Sequence, residues 1–159
     1  MAGTPASSAP QLILAFDFGT RRMGLAAGDT LTRTARGLAT LDCGRGTPWP
    51  AIDKVFEDLQ PAQLIVGLPL NMDGTPTALT EAARAFAAEL EARYDKPVAL
   101  VDERLSSREA EAQLRDARAA GLKRGRTTHA DVDMIAARIL LERWFAGEAE
   151  ASTMRAHDS

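Results

Sequence analysis

Three acidic positions sit where this chain could do chemistry. Asp17 closes a run of five apolar residues, 12–16, and Asp102 and Glu103 close another, 97–101. Asp133 falls one turn into an apolar-periodic segment near the C-terminus. A carboxylate at the end of a buried strand costs several kcal/mol unless it is paired, well hydrogen-bonded or bound to a metal. If Asp17, Glu103 and Asp133 converge, their mutual repulsion calls for a divalent cation. Oxygen-only ligands suit Mg²⁺ or Mn²⁺. Zinc does not fit, because Cys43, His129 and His157 share no ligand spacing. Two hard cations roughly 4 Å apart can activate water and stabilise the leaving oxygen in phosphodiester cleavage. Gly19, Arg21 and Arg22 follow the first acid directly, and Lys123, Arg124 and Arg126 form a basic cluster that with Arg115 and Arg118 could hold phosphates.

Each of these residues also has a plainer reading. Asp17 could cap the Gly19-Thr20 turn, and acids after a strand are often only solvated. Asp133 could simply favour the helix dipole. Asp131 competes with it and looks more like the capping acid. Asn71 could be a turn residue.

The acids need a scaffold, and the chain supplies an alternating one. Residues 12–16 read as a strand buried on both faces. The short connection 18–22 suits a hairpin, so a second strand over 23–27 should run antiparallel to the first. Residues 33–41 predict a third, edge strand. Thr47 is the expected cap of a helix with Pro48 at its first position, and Ile52, Val55, Phe56 and Leu59 form its buried stripe. Pro61 ends it. Residues 63–68 predict a strand parallel to the first, reached by a right-handed crossover. Leu79, Ala83, Phe86 and Leu90 mark a second helix, with Glu89 and Arg93 paired at i,i+4 on its exposed side. A fifth strand over 97–101 follows. Ser106 to Glu109 is a capping-box pattern opening a helix to about residue 120. Residues 121–128 form a basic loop, and Val132, Ile135, Ala136, Ile139, Leu140 and Trp144 define a last amphipathic helix. Ala136 and Ala137 should let it approach the sheet closely. The sum is an α/β fold: a mixed five-stranded sheet, antiparallel through strands one to three, with parallel crossovers to strands four and five and helices on both faces. Open sheets of this kind bind ligands at the C-terminal edge of their parallel strands, where Asp17 and Glu103 should both lie.

Composition narrows the function. At 159 residues one domain is expected, over 11–146, with a disordered tail at 1–10 and a flexible one at 147–159. The net charge of −3 argues against a uniformly basic nucleic-acid binder, so any such contact must be local or assisted by cations. A single cysteine excludes an internal disulfide and suits a reducing, cytoplasmic setting. Residues 1–10 have neither the basic nor the apolar part of a signal peptide, and no run reaches membrane-spanning length.

Four blocks then make the chain recognisable: LAFDFGTRRMGLAAGD, LIVGLPLNMDGT, VDERLSSREAEAQL and DVDMIAARILLERWF. They resemble the YqgF/RuvX family, described as pre-16S rRNA nucleases and formerly as Holliday-junction resolvases. The resemblance implies a ribonuclease H-like fold and a metal-dependent nuclease site. It implies that Asp17, Glu103 and Asp133 are the family's three acids, that Gly19, Arg21, Arg22 and Gly24 surround the site entrance, and that Asn71 and Arg104 contact nucleic acid. Two positions depart from the family pattern: Ser106-Ser107, where threonine is frequent, and His129-Ala130-Asp131, which adds an acid near the site. The expected substrate is structured RNA, at the 5′ end of pre-16S rRNA. Branched DNA is the alternative, and cutting it symmetrically would need a dimer; monomer and dimer are both open. A non-catalytic factor in transcription or ribosome assembly is a third reading. The Asp-Phe-Gly-Thr turn is also similar to the phosphate loop of actin-like ATPases, but those need a second lobe and a longer chain.

Overall fold

The computed structural model describes residues 11–71, 73–103, 112, 115 and 129–147. Strand β1 (Leu12–Asp17) lies at the centre of a five-stranded sheet. Strands β2 (Arg22–Asp29) and β3 (Thr34–Asp42) follow antiparallel, and β4 (Gln63–Leu68) and β5 (Val98–Asp102) lie parallel on the other side. The spatial order is β3-β2-β1-β4-β5, with β3 at one edge as its mixed composition predicts.

Alternation along the strands splits the core into two layers. Leu14, Phe16, Met23, Leu25, Leu64, Val66, Leu68, Val98 and Leu100 point to one face. There they meet Ile52 of α1 (Trp49–Leu59) and Ala83, Phe86, Ala87 and Leu90 of α2 (Thr80–Tyr94). Phe16 and Phe86 meet edge-on, with ring centroids 5.4 Å apart. Ile13, Ala15, Ala26, Ile65 and Val101 point the other way, onto Ala137, Leu140, Leu141 and Phe145 of α3 (His129–Ala146). Burying each large side chain of these layers contributes about 1.5–3 kcal/mol. Helices therefore cover both faces.

The close approach of α3 is made possible from the sheet side as well as by its alanines. A Cβ at Gly24 would lie 2.1 Å from the carbonyl oxygen of Asp133. One at Gly28 would lie 2.8 Å from Leu141 Cδ2, and one at Gly37 would lie 3.2 Å from Met134 Cβ. A track of glycines on β2 and β3 thus seats the helix.

Two local expectations fail. Helix α1 begins at Trp49, and Pro48 occupies the cap position with no side-chain hydrogen bond. The backbone carbonyl of Thr47, not its hydroxyl, accepts the Trp49 N–H at 2.8 Å, and Pro50 sits in the first turn. The helix ends as Gln60 turns left-handed just before Pro61, its N–H bonding Phe56 O. Arg93 does not pair with Glu89. It donates from Nε and Nη2 to Asp53 of α1 at 2.9 and 2.7 Å, because this cross-helix partner offers a bidentate carboxylate and a ring, Trp49, under the guanidinium at 4.7 Å.

The expected tail at 1–10, all but Gly147 of the one at 147–159, the loop at 121–128 and most of the helix at 106–120 lie outside the described residues. Ala112 and Arg115 of that helix are helical. No helix among the described residues is long and apolar enough to cross a membrane.

Candidate active site

Strand parity carries the acids to one place. Asp17 follows Ile13 and Ala15 on the α3 face of β1, and Glu103 follows Val101 on the same face just past β5. Because β1, β4 and β5 are parallel, both acids emerge at the same sheet edge. Asp17 is flanked by glycines on both sides. It faces Gly24 on β2, and the register Phe16 to Val66 sets Gly67 of β4 level with it. The Glu103 N–H bonds Leu68 O at 3.2 Å, which fixes the chain where it leaves the sheet.

The Asp17 and Glu103 carboxyls lie against each other, and two such groups resist being ionised together. Burial, then the charge of Glu103, the shared hydrogen bond and the charge of Asp133 push the Asp17 carboxyl well above the usual carboxylate range. Burial also raises Glu103, and the hydrogen bond from Asp17 partly offsets this. Glu103 Oε1 is buried with no hydrogen-bond partner among the described residues. The side chain reaches this position by lying across Gly67, where a Cβ would stand 2.3 Å from Oε1.

Asp133 comes to the same edge from the first turns of α3. Its Oδ2 accepts a hydrogen bond from Arg22 Nε at 2.9 Å, across a separation of 111 residues. Its charge still reaches Asp17. Among the described residues no three His, Cys, Asp or Glu side chains form a cluster that could hold a metal ion. The structure thus joins Asp17 to Glu103 and sets Asp133 alongside, its carboxylate turned to Arg22. The side chain of Asp131 lies outside the described residues.

Gly19 makes the turn between β1 and β2 possible, since a Cβ there would lie 2.4 Å from Arg22 O. The side chain of Arg21 is exposed and has no partner among the described residues. Asn71 is exposed and donates from Nδ2 to Thr75 Oγ1 at 2.9 Å and to Pro76 O at 3.3 Å, holding its own loop. Arg104, Lys123, Arg124 and Arg126 lie outside the described residues. A cavity of about 450 Å³ opens beside the acids, lined by Arg21, Arg22, Thr40, Leu41, Asp42 and Gly44. Sequence reasoning missed this cavity and the role of Gly67. A lone glycine in the otherwise apolar strand 63–68 is the signal that could have revealed Gly67, for such a glycine often marks a close approach.

A mixed five-stranded sheet, antiparallel then parallel, with helices on both faces is a RuvC-like, ribonuclease H-like α/β fold. Thermus thermophilus RuvC, solved in complex with a Holliday junction substrate, matches with a TM-score of 0.55 at 16% identity. The match covers 91% of this chain and 98% of that one and shows the shared fold. A second structure of the same protein matches at 0.50 and 15% identity. The chain belongs to the RuvX family, whose profile, described as Holliday junction resolvase, matches residues 11–147. Its relatives include proteins named "Putative pre-16S rRNA nuclease" from Xylella fastidiosa, 43% identical over 94% of this chain and 99% of that one. Another, from Chromohalobacter salexigens, is 46% identical over 90% and 95%. The chain is thus a member of a nuclease family.

Proposed function

We propose that this protein is a cytoplasmic, divalent-metal-dependent endonuclease that trims the 5′ end of pre-16S rRNA. The observation that carries the reading is the buried Asp17–Glu103 pair, whose Glu103 Oε1 has no hydrogen-bond partner among the described residues. Two buried carboxyls in contact, one of them with an oxygen that has no partner among the described residues, cost stability unless a hard cation is bound there. The all-oxygen donor set fits Mg²⁺ or Mn²⁺, with Asp17 and Glu103 as ligands and Asp133 beside them. When bound, such a cation lowers the pKa of water and offsets the charge that builds on the phosphate and the leaving oxygen. Asp17 and Glu103 would hold it as carboxylates. Arg22 orients the Asp133 carboxylate, which then orients the attacking water. Arg21, Arg104 and the Lys123, Arg124 and Arg126 cluster hold the flanking phosphates, with Gly19 and Asn71 shaping the entrance.

The names of the relatives favour rRNA as substrate. A second reading, cleavage of branched DNA, is favoured by the family description and by the junction-bound RuvC. Incubating a 5′-extended 16S rRNA precursor and a four-way DNA junction with the protein, with and without Mg²⁺ or Mn²⁺, separates the two. Metal-dependent cleavage of the RNA by the wild type and not by Asp17→Asn is the expected result. Cleavage of the junction alone would transfer the proposal to DNA. Cleavage of neither would remove the enzyme reading.

A further inference from the structure

The cavity beside the acids has walls that are already built. The Cys43 N–H bonds Arg21 O at 2.8 Å and ties the end of β3 to the turn before β2. The Gly44 N–H bonds Asp42 Oδ1 at 2.8 Å, and the Gly46 N–H bonds Cys43 O at 3.0 Å. Gly46, at φ 108°, adopts a conformation open to glycine. The volume of about 450 Å³ lies within the roughly 300–1,000 Å³ of small-ligand sites. It would admit one nucleotide splayed out of a stack, as bases in RNA loops are.

Its lining has the groups such a guest needs. Arg21 presents a guanidinium fork with no partner among the described residues, and such a fork matches a phosphate bidentately. Leu41, which packs into the core layer beneath α1 and α2, borders the cavity. The exposed Asp42 carboxylate accepts one backbone N–H at Oδ1 and keeps acceptor capacity on both oxygens. Guanine alone among the four bases presents two adjacent donors, N1–H and N2–H, on its pairing edge. Arg22 lines the cavity and also holds Asp133 at 2.9 Å, so the guest would sit next to the acids.

We infer that this cavity is a subsite for one unpaired guanine nucleotide beside the phosphodiester to be cut, with Arg21 on its phosphate and Asp42 on its base edge. Its place within a substrate rests on the nuclease reading above, but its occupancy does not. The test is amide NMR titration of the full chain with each nucleoside 5′-monophosphate, in chelator, for wild type, Arg21→Gln and Asp42→Asn. Guanosine monophosphate should shift the amides of residues 21–22 and 40–44 and saturate about tenfold below the other three. Arg21→Gln should weaken all four alike, and Asp42→Asn should remove only the guanine preference. Equal affinities for all four in the wild type, a preference that survives Asp42→Asn, or identical shifts from inorganic phosphate alone would overturn the inference. The cleavage assay is read separately. A protein that prefers guanosine monophosphate yet cuts nothing sinks the nuclease reading and supports the subsite. One that cuts RNA without any such preference sinks the subsite alone.

Discussion

The facing Asp17 and Glu103 carboxyls set stability against the metal binding proposed for them. Burial raises both carboxyls, so between the ordinary carboxylate pKa and the raised one the native protein holds more protons than the unfolded chain. Stability without metal therefore falls as pH rises through that window. Asp17→Asn keeps a hydrogen-bond donor and removes the charge. In chelator at pH 7 it should be more stable by about 1 kcal/mol, raising the melting temperature by roughly 2–4 °C. That difference should shrink toward pH 4. A variant no more stable than wild type at pH 7 would show that the pair carries no electrostatic strain. Gly67 belongs to the same balance. Because a Cβ there would stand 2.3 Å from Glu103 Oε1, Gly67→Ala must push that carboxylate off Asp17. We expect it to raise the metal concentration for half-maximal cleavage by about 10–100-fold, as displaced support of a metal ligand does. An unchanged metal requirement would mean that Glu103 does not act from where it now lies.

What the elements hold in common is that burial is local while pairing is not, and this sets what the sequence could reveal. Strands β1, β4 and β5 were legible because each is a short apolar run, bounded by an acid at Asp17 and Asp102 and by Pro69 after β4. Their parallel order then followed from crossover geometry, and with it the shared edge of Asp17 and Glu103. The contacts that span elements were not legible. Nothing near Gly24 says that the backbone of Asp133 will lie against it, and nothing near Arg93 names Asp53, 40 residues away. The Asp53–Arg93–Tyr94 clamp joins α1 to α2. Tyr94 Oη donates to Asp53 Oδ1 at 2.5 Å, and Tyr94 stacks on Phe56 at 4.2 Å. Hydrogen bonds from Arg93 and then Tyr94 lower the Asp53 carboxyl to about 2. A lowered carboxylate stabilises the fold above its unfolded pKa and loses that effect as pH falls toward 2. Asp53→Asn should therefore melt below wild type at pH 7, and the two curves should meet near pH 2. A gap that persists at pH 2 would mean that the clamp acts by packing alone.

At the scale of the whole molecule, 22 acidic against 19 basic residues leave a net charge of −3, so the overall field does not draw nucleic acid in. Affinity must then come from a few cations at the edge where the acids emerge. Arg21 and Arg22 stand there, and the chain's densest basic cluster, Lys123, Arg124 and Arg126, precedes the helix that carries Asp133. Each phosphate neutralised releases condensed counterions and adds about 0.7–0.9 to the slope of log affinity against log salt. Replacing Lys123, Arg124 and Arg126 together with glutamine should thus weaken binding to structured RNA at low salt and reduce that slope by about 2. Guanosine monophosphate binding in the cavity should persist, because the lining residues are separate ones. Filter binding over a salt series, in an Asp17→Asn background, reads the slope directly. A slope that does not change would place the phosphate contacts elsewhere on the surface and make the 123–126 cluster an ordinary solvated loop.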